Sequence, residues 1–443
     1  MSHSYRFLRL LIVVVLSMGS ATPLLAGEFD DLRRKLGRAV QQKDTAVARD
    51  AIRDLGRSDH AEAADAILRV LPFLPDAEVA DVVLAALRRL GEERLNASVE
   101  SLLGKKQPDL LVVGTVFIVA EDWRGSISEK WLFDGLRHRD QAVQGKAVSG
   151  LRKRRSKAAV PLLIDELREL QGERSQLAYA VRQALIAITG HDFEAIEDWD
   201  SWWKVNGASF DPNKVEEGAT GVIRRKPDPD RDVPRFFGVE IVSRKVLFLI
   251  DTSGSMRAFD PLQEEAGGTG SDWRIRQRIY RARTQLAAAV QKLPGDARFN
   301  IISYDDKFQV FSSKGLVPAS KKWKKRATNF AEGLKAGGQT HTDVAFDQAF
   351  SDRNVDTIIL LTDGAPYHSK EVGSRILIPQ IIEQVRKLNK LRRLKIYTLG
   401  FEGRGIYPPG DERAGQSTGG GTRMVEFLKQ LAKEHRGQYA PIR

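Results

Sequence analysis

The first half of the chain carries apolar residues at helical spacing, and the pattern repeats. The repeat begins at four positions that lie 32 residues apart, Asp44, Asp76, Pro108 and Asp140. An apolar residue follows each start after three positions, and another follows after eleven. Because a unit of this length buries its apolar face only by stacking on its neighbours, the pattern predicts an all-α solenoid of helix pairs.

These units resemble HEAT-type repeats, although they are shorter than is usual for that class. The resemblance implies a HEAT-like α-helical domain over residues 28–205. The alternative is an irregular helical bundle whose periodicity is accidental. Four starts in strict register favour the solenoid.

Three tryptophans close this region, and Trp199, Trp202 and Trp203 share one face of a predicted helix. They could form an aromatic platform for sugars, or a terminal helix that covers the last repeat. We favour the second interpretation, because an aromatic stripe at helical spacing usually belongs to a core. Residues 206–242 are rich in Pro, Gly and Asp, which predicts a linker.

After the linker, apolar runs of strand length alternate with amphipathic helical segments. Predicted strands cover residues 245–250, 298–304, 308–311, 356–362, 394–400 and 437–442. Predicted helices cover residues 274–293, 320–334, 342–352, 380–391 and 423–435. This order predicts a doubly wound (Rossmann-like) α/β domain over 243–443 with a mostly parallel central sheet. The strand at 308–311 follows a short turn and is therefore predicted to be an antiparallel edge strand.

Oxygen-bearing side chains follow the predicted strands and turns at points that could converge. "DTSGSM" supplies Asp251, Ser253 and Ser255, "GGQTHTD" supplies Thr340, and "LLTDGAPY" supplies Asp363. Ligands of a doubly wound sheet bind outside the carboxyl ends of its strands. Two carboxylates and three hydroxyls suit a hard divalent cation such as Mg²⁺, which takes six oxygens at about 2.0–2.1 Å. Without a His–Cys set, zinc is a poor candidate.

The same residues resemble the metal-ion-dependent adhesion site (MIDAS) of von Willebrand factor type A (VWA) domains, and the likeness extends from about Ser243 to the C-terminus. That family's pattern is Asp-x-Ser-x-Ser, a distant Thr and a distant Asp. The resemblance implies that Ser253, Ser255 and sometimes Thr340 bind Mg²⁺ (or Mn²⁺ or Ca²⁺) directly. It also implies that the two aspartates act through bound water. Thr342 is the alternative to Thr340. Thr340 fits better, because it lies just before the predicted helix.

The resemblance also implies a function in adhesion or complex assembly. An exposed Asp or Glu of a partner protein would complete the coordination of the ion. The chain is predicted not to be an enzyme, since it has no phosphate-loop lysine, no His-Glu-x-x-His motif and no histidine assigned to activate Ser253. Two alternatives stay open, namely a scaffold whose helical repeats do the recognition and a metal-assisted hydrolase such as a phosphatase.

Charge adds a second class of partner. The net charge is +12 and the sequence pI is about 9.7, so an anionic surface is a possible partner. Basic runs at 152–157 and 321–326 are interpreted as solvated faces, because no nucleic-acid-binding module accompanies them. No specific nucleic acid is therefore expected.

The N-terminus predicts export. Arg6 and Arg9 flank the apolar run 10–16, and a small-residue region precedes Gly27, which has the build of a signal peptide over 1–26. The alternative, a membrane anchor, requires a longer apolar run than this one. No later segment predicts a membrane span, so the mature chain is expected in the periplasm, at the cell surface or secreted. With no cysteine, its cores alone must stabilise it.

Two long loops are predicted to border the metal face, because both follow strand carboxyl ends. They cover residues 257–272 and 401–421. They could be Gly-rich excursions without a role, or they could select or shield the ligand. In a closed state, Asp260, Glu264 or Glu265 could occupy the open coordination position.

Overall fold

The structure, a computed structural model, describes most of the chain. The described residues are 23–172, 175–215, 234–260, 273–364, 378–414, 416–419 and 421–442. The chain forms two compact units, residues 1–171 with 180–221 and residues 172–179 with 222–443. The predicted signal peptide lies almost wholly outside the described residues, and the first described helix begins at Pro23.

The N-terminal unit is all-α, as the sequence predicts. Its helices are α1 (Pro23–Gln42), α2 (Thr45–Leu55), α3 (Ala63–Val70), α4 (Asp76–Leu103), α5 (Leu110–Ala120), α6 (Ser126–Leu136), α7 (Gln141–Arg154), α8 (Ala159–Glu169), α9 (Gln176–Thr189) and α10 (Ile196–Asn206). Helix α4 is broken at Gly91, where φ is 83°, so it provides two helical segments.

Two of the aspartates at the predicted repeat starts act as helix N-caps. Asp44 accepts a hydrogen bond from Val47 N at the start of α2, and Asp140 accepts one from Ala142 N at the start of α7. Asp109, one residue after the predicted start, caps α5. The 32-residue register therefore coincides with real helix starts.

Neighbouring helices approach closely at glycines. A Cβ added to Gly56, directly after α2, would lie 2.6 Å from Ala86 Cβ of α4. A Cβ added to Gly135 of α6 would lie 2.5 Å from Phe117 Cζ of α5. Both distances are shorter than any real Cβ contact, so a larger residue at either position would force its neighbours to shift. The packing establishes a helical region, while its HEAT-like character stays a prediction.

The tryptophans of α10 pack against aromatic residues around them. Trp199 is fully buried and donates its indole N–H to Phe193 O, and the two rings meet edge to face. Trp202 packs on His191 and Phe210. This packing supports the interpretation of α10 as a covering helix.

The C-terminal unit is built on a mostly parallel sheet, which confirms the predicted fold class. Its strands are β1 (Arg235–Phe236), β2 (Val239–Glu240), β3 (Lys245–Asp251), β4 (Arg298–Tyr304), β5 (Phe308–Val310), β6 (Val317–Pro318), β7 (Thr357–Thr362), β8 (Lys395–Phe401), β9 (Arg404–Ile406), β10 (Ser417–Gly419) and β11 (Tyr439–Ile442). Its helices are α11 (Trp273–Arg276), α12 (Arg278–Lys292), α13 (Lys321–Glu332), α14 (Thr342–Ser351), α15 (Ile378–Asn389) and α16 (Thr422–Glu434).

The sheet order is β11-β8-β7-β3-β4-β5, and β6 also pairs with β4. Strands β4, β7, β8 and β11 are parallel to β3, whereas β5 is antiparallel, as expected for an edge strand. Strand β11 forms the other edge, and Pro441 lies in it opposite Gly400. After β3 the chain first adds β4 and β5 on one side of that strand and then β7, β8 and β11 on the other. The strand order therefore switches at β3.

Alternation along β3 gives the sheet two cores. Phe248 and Ile250 face the side that α12 and α13 cover, and Leu247 and Leu249 face the side that α14, α15 and α16 cover. Because both faces are covered by helices, the strand reads as a continuous apolar run that ends at Asp251.

Part of the segment that the sequence assigns to a linker belongs to this second unit. Strands β1 and β2 form an antiparallel hairpin at 235–240. Phe236 and Ile241 are buried in the same core as Phe248. The hairpin is too short to give a periodic pattern, and its contribution comes from these two side chains.

Buried His435 at the end of α16 should make stability depend on pH. Its Nδ1 lies 3.0 Å from the Asn389 amide nitrogen, which donates to it. Burial lowers the pKa of His435 to about 4, while Glu434 opposes this shift and Arg436 and Arg386 add to it.

Because the pKa of His435 in the folded protein lies below its unfolded value, the neutral form stabilises the fold above about pH 6.5. We expect the melting temperature to fall as pH decreases from about 6.5 to about 4. In His435→Gln, the part of this fall in melting temperature that comes from protonation of His435 should be absent. Thermal unfolding followed by circular dichroism across the same pH range measures it. Equal pH slopes in the two proteins would contradict the assignment.

Candidate metal centre

The candidate site lies where the carboxyl ends of two neighbouring parallel strands meet. Strand β3 ends at Asp251, and β7 ends at Thr362, directly before Asp363. Both aspartate side chains are fully buried. The two carboxylates that the sequence assigns to the site therefore reach the same edge of the sheet.

Asp251 is held by one donor from the turn after its own strand and one from the neighbouring strand β7. Its Oδ1 accepts a hydrogen bond from Ser253 N at 2.7 Å, and its Oδ2 accepts one from Thr362 Oγ1 at 2.5 Å. The turn after β3 is therefore fixed by the aspartate itself. Ser253 is the N-cap of a short 3₁₀ segment, Gly254–Arg257, and Ser255 lies within that segment.

The serines connect the two carboxylate positions. Ser253 Oγ lies 3.0 Å from Ser255 Oγ, and Ser255 Oγ donates to Asp363 Oδ1 at 2.5 Å. Ser253 is buried, whereas Ser255 is partly exposed. The cluster is therefore accessible to solvent beside Ser255.

Thr340 lies against the same cluster, just before α14. A Cβ added to Gly364 would lie 3.3 Å from Thr340 Oγ1 and 3.6 Å from Ser255 Oγ. The two hydroxyls therefore lie close to the same position beside Gly364. The threonine is brought there by the backbone, because Gly254 N donates to Gly338 O at 2.9 Å. Its position supports the choice of Thr340 over Thr342.

Electrostatic strain in the cluster comes from its two buried carboxylates. Burial and the negative charge of Asp363 raise the pKa of Asp251 to about 7. Burial and the charge of Asp251 also raise the pKa of Tyr304, which ends the adjacent strand β4. The environment therefore favours a positive charge next to Asp251.

The donor set fits a small hard cation. In an octahedron with bonds of about 2.1 Å, neighbouring ligand oxygens lie about 3.0 Å apart. The Ser253 and Ser255 hydroxyl oxygens have this separation. Within the described part of the chain, no group of three His, Cys, Asp or Glu residues is arranged to hold a metal ion. A cation here would be surrounded by three hydroxyls and two carboxylates, an all-oxygen environment that suits Mg²⁺ or Mn²⁺.

Arg278, at the start of α12, belongs to the site and is absent from the predicted set. Its Nη1 donates to Asp363 Oδ2 at 2.7 Å, and both side chains are completely buried. The sequence offered one signal for Arg278. It lies four residues before Ala282 and therefore on the face of α12 that packs into the core. An arginine on an apolar helix face requires a buried partner.

The described part of the 401–421 loop lies against the serine turn, as the sequence predicts. Strands β9 and β10 form a hairpin, and Phe259 pairs with Ile406. Arg413 donates to Gly254 O at 3.0 Å, and Arg257 forms a 3.1 Å ion pair with Asp411. In the other loop, Glu264 and Glu265 lie outside the described residues. Asp260 is described, and it binds Arg278 at 3.0 Å.

The fold and the site together define the C-terminal unit as a doubly wound α/β domain with an oxygen-lined site at its strand ends. Residues 246–365 match the family model described as the von Willebrand factor type A domain. This match supports the resemblance of the C-terminal unit to VWA domains.

Relatives match about half of the chain. The human "von Willebrand factor A domain-containing protein 3A" is 26% identical over 207 residues, which cover 46% of this chain and 14% of that protein. A structure titled "von Willebrand factor type A from Catenulispora acidiphila" is 18% identical and covers 46% of this chain and 40% of its own, with a TM-score of 0.32. The PilB minor pilin from Streptococcus sanguinis is 11% identical and covers 46% of this chain and 58% of its own, with a TM-score of 0.28.

Replacement of Thr362 tests how Asp251 is held. Thr362→Val keeps the shape of the side chain but removes the hydroxyl that donates to Asp251 Oδ2. We expect the free energy of unfolding, measured by urea denaturation in EDTA, to fall by about 1–3 kcal/mol, because a buried acceptor loses its donor. Thr362→Ser keeps the hydroxyl and should lose less. Equal losses in both variants would show that the hydroxyl does not stabilise Asp251.

Proposed function

We propose that the VWA domain binds a divalent cation at this site and, through it, a carboxylate of a partner protein. The cation is Mg²⁺, with Mn²⁺ or Ca²⁺ as substitutes. The proposal is carried by one observation, the continuous chain of contacts from Asp251 through Ser253 and Ser255 to Asp363, with Thr340 beside it.

The chemistry of the ligand set explains why an acidic partner is proposed. The hydroxyls of Ser253, Ser255 and Thr340 would bind the ion directly, and Asp251 and Asp363 would accept hydrogen bonds from its water molecules. Neutral direct ligands leave most of the positive charge on the ion, which then attracts an external carboxylate. The partly exposed side of the cluster at Ser255 provides the approach.

The role proposed for Ser253 is that of a ligand in a protein without enzymatic activity. Its hydroxyl lies against Ser255 Oγ, an arrangement that suits shared coordination better than activation by a general base. Release of phosphate from a panel of phosphatase substrates, lost in Ser253→Ala, would contradict this part of the proposal.

An extracytoplasmic location is part of the proposal and rests on the signal-peptide pattern at 1–26. Among the helices of the described residues, none combines the length and apolar character that a membrane crossing requires. The partner is therefore sought in the periplasm or at the cell surface. The net charge of +12 is consistent with an acidic partner surface.

Removal of one hydroxyl tests the proposal. In Ser253→Ala the backbone N–H that binds Asp251 remains, while a direct ligand is lost. We expect calorimetry to give an Mn²⁺ affinity at least about 100-fold weaker than that of the unsubstituted protein, because loss of even an indirect metal contact costs 10–100-fold. Ser313→Ala, at an exposed serine away from the site, should leave the affinity unchanged.

The partner is tested by capture from the native cell envelope. A specific protein should be retained by the unsubstituted chain in Mg²⁺, and released by EDTA or by Ser253→Ala. Failure of the unsubstituted chain to bind either Mg²⁺ or Mn²⁺ would overturn the proposed function.

A further inference from the structure

Arg278 is one of the largest fully buried side chains in the described part of the protein. A buried guanidinium is stable only where its charge and its N–H groups are matched. Here Nη1 donates to Asp363 at 2.7 Å, Nε to Asp260 at 3.0 Å and Nη2 to Gly403 O at 2.6 Å. Two carboxylates thus match its charge, and each of its three nitrogens donates one hydrogen bond.

The surroundings are shaped to keep the guanidinium in this place. Its Cζ lies 5.5 Å from the centre of the Phe401 ring. On another side, a Cβ added to Gly405 would lie only 2.8 Å from Arg278 Cζ. Backbone of the β9 strand therefore packs directly on the guanidinium, which a residue with a side chain would displace.

Asp363 is shared between this arginine and the serine cluster. Its Oδ2 accepts from Arg278, while its Oδ1 accepts from Ser255. One carboxylate thus has a permanent positive charge on one side and the proposed cation position on the other. The arginine charge and a bound cation would repel each other across Asp363.

We propose that Arg278 is the resident counter-ion of the metal site: it keeps the Asp363 carboxylate oriented while no metal is bound, and its positive charge limits the affinity for the divalent cation. This inference rests on the proposed function, since it concerns the same site. It predicts a preformed site that exchanges its metal readily instead of one that requires metal to fold.

The test compares Arg278→Gln with Arg281→Gln in the full chain. Arg281 also pairs with Asp260 and stacks on Phe401, at 5.2 Å, but Asp363 is held by Arg278. For Arg278→Gln we expect a lower melting temperature in EDTA, about tenfold tighter Mn²⁺ binding by electron paramagnetic resonance, and a larger increase in melting temperature on adding Mn²⁺. Arg281→Gln should change Mn²⁺ affinity by less than about twofold.

A second variant should act in the opposite direction. Asp260→Asn removes a negative charge beside Arg278 and leaves the guanidinium on Asp363. We expect Mn²⁺ binding to weaken by about threefold, because the local charge becomes more positive. This variant decides the question if Arg278→Gln does not fold, and unchanged binding in it would then overturn the inference.

The outcomes separate this inference from the proposed function. Unchanged or weaker Mn²⁺ binding by folded Arg278→Gln overturns the counter-ion role. Absence of Mn²⁺ binding by the unsubstituted chain overturns the proposed function. If Arg278→Gln then gains binding, the counter-ion role is supported. If neither protein binds Mn²⁺, both proposals fail.

Discussion

Two aspartates that are buried side by side set the main constraint on the C-terminal unit. Asp251 and Asp363 end neighbouring parallel strands and are both removed from water. Like charges in such a place repel, and each must be matched by donors or cations. Thr362 and the serine turn satisfy one carboxylate, and Arg278 satisfies the other. Much of the irregular structure around the strand ends serves this requirement.

The same constraint explains why distant segments meet at this edge of the sheet. Arg278 binds Gly403 O, and Arg413 of the β9–β10 hairpin loop binds Gly254 O within the serine turn. The hairpin is thereby fixed to both sides of the cluster through partly buried polar contacts. A loop that the sequence indicates only as Gly-rich is, in its described part, an ordered component of the site.

The sequence predicts the fold class and the oxygen ligands because both have local signals. A buried parallel strand such as Lys245–Asp251 reads as an apolar run, and Asp-x-Ser-x-Ser follows it directly. Arg278 was missed because its partners, Asp363 and Gly403, are 85 and 125 residues away in sequence. Only tertiary structure brings such groups together. The hairpin at 235–240 was missed because four paired residues carry no period.

The edges of the sheet restrict how this domain can associate. Strand β11 carries Pro441, which has no N–H to offer to an added strand. Strand β5 at the opposite edge is only three residues long. Short or proline-bearing edges discourage the strand addition that leads to aggregation or domain swapping. An association of this domain would therefore depend on side-chain contacts and not on backbone pairing at the edges of the sheet.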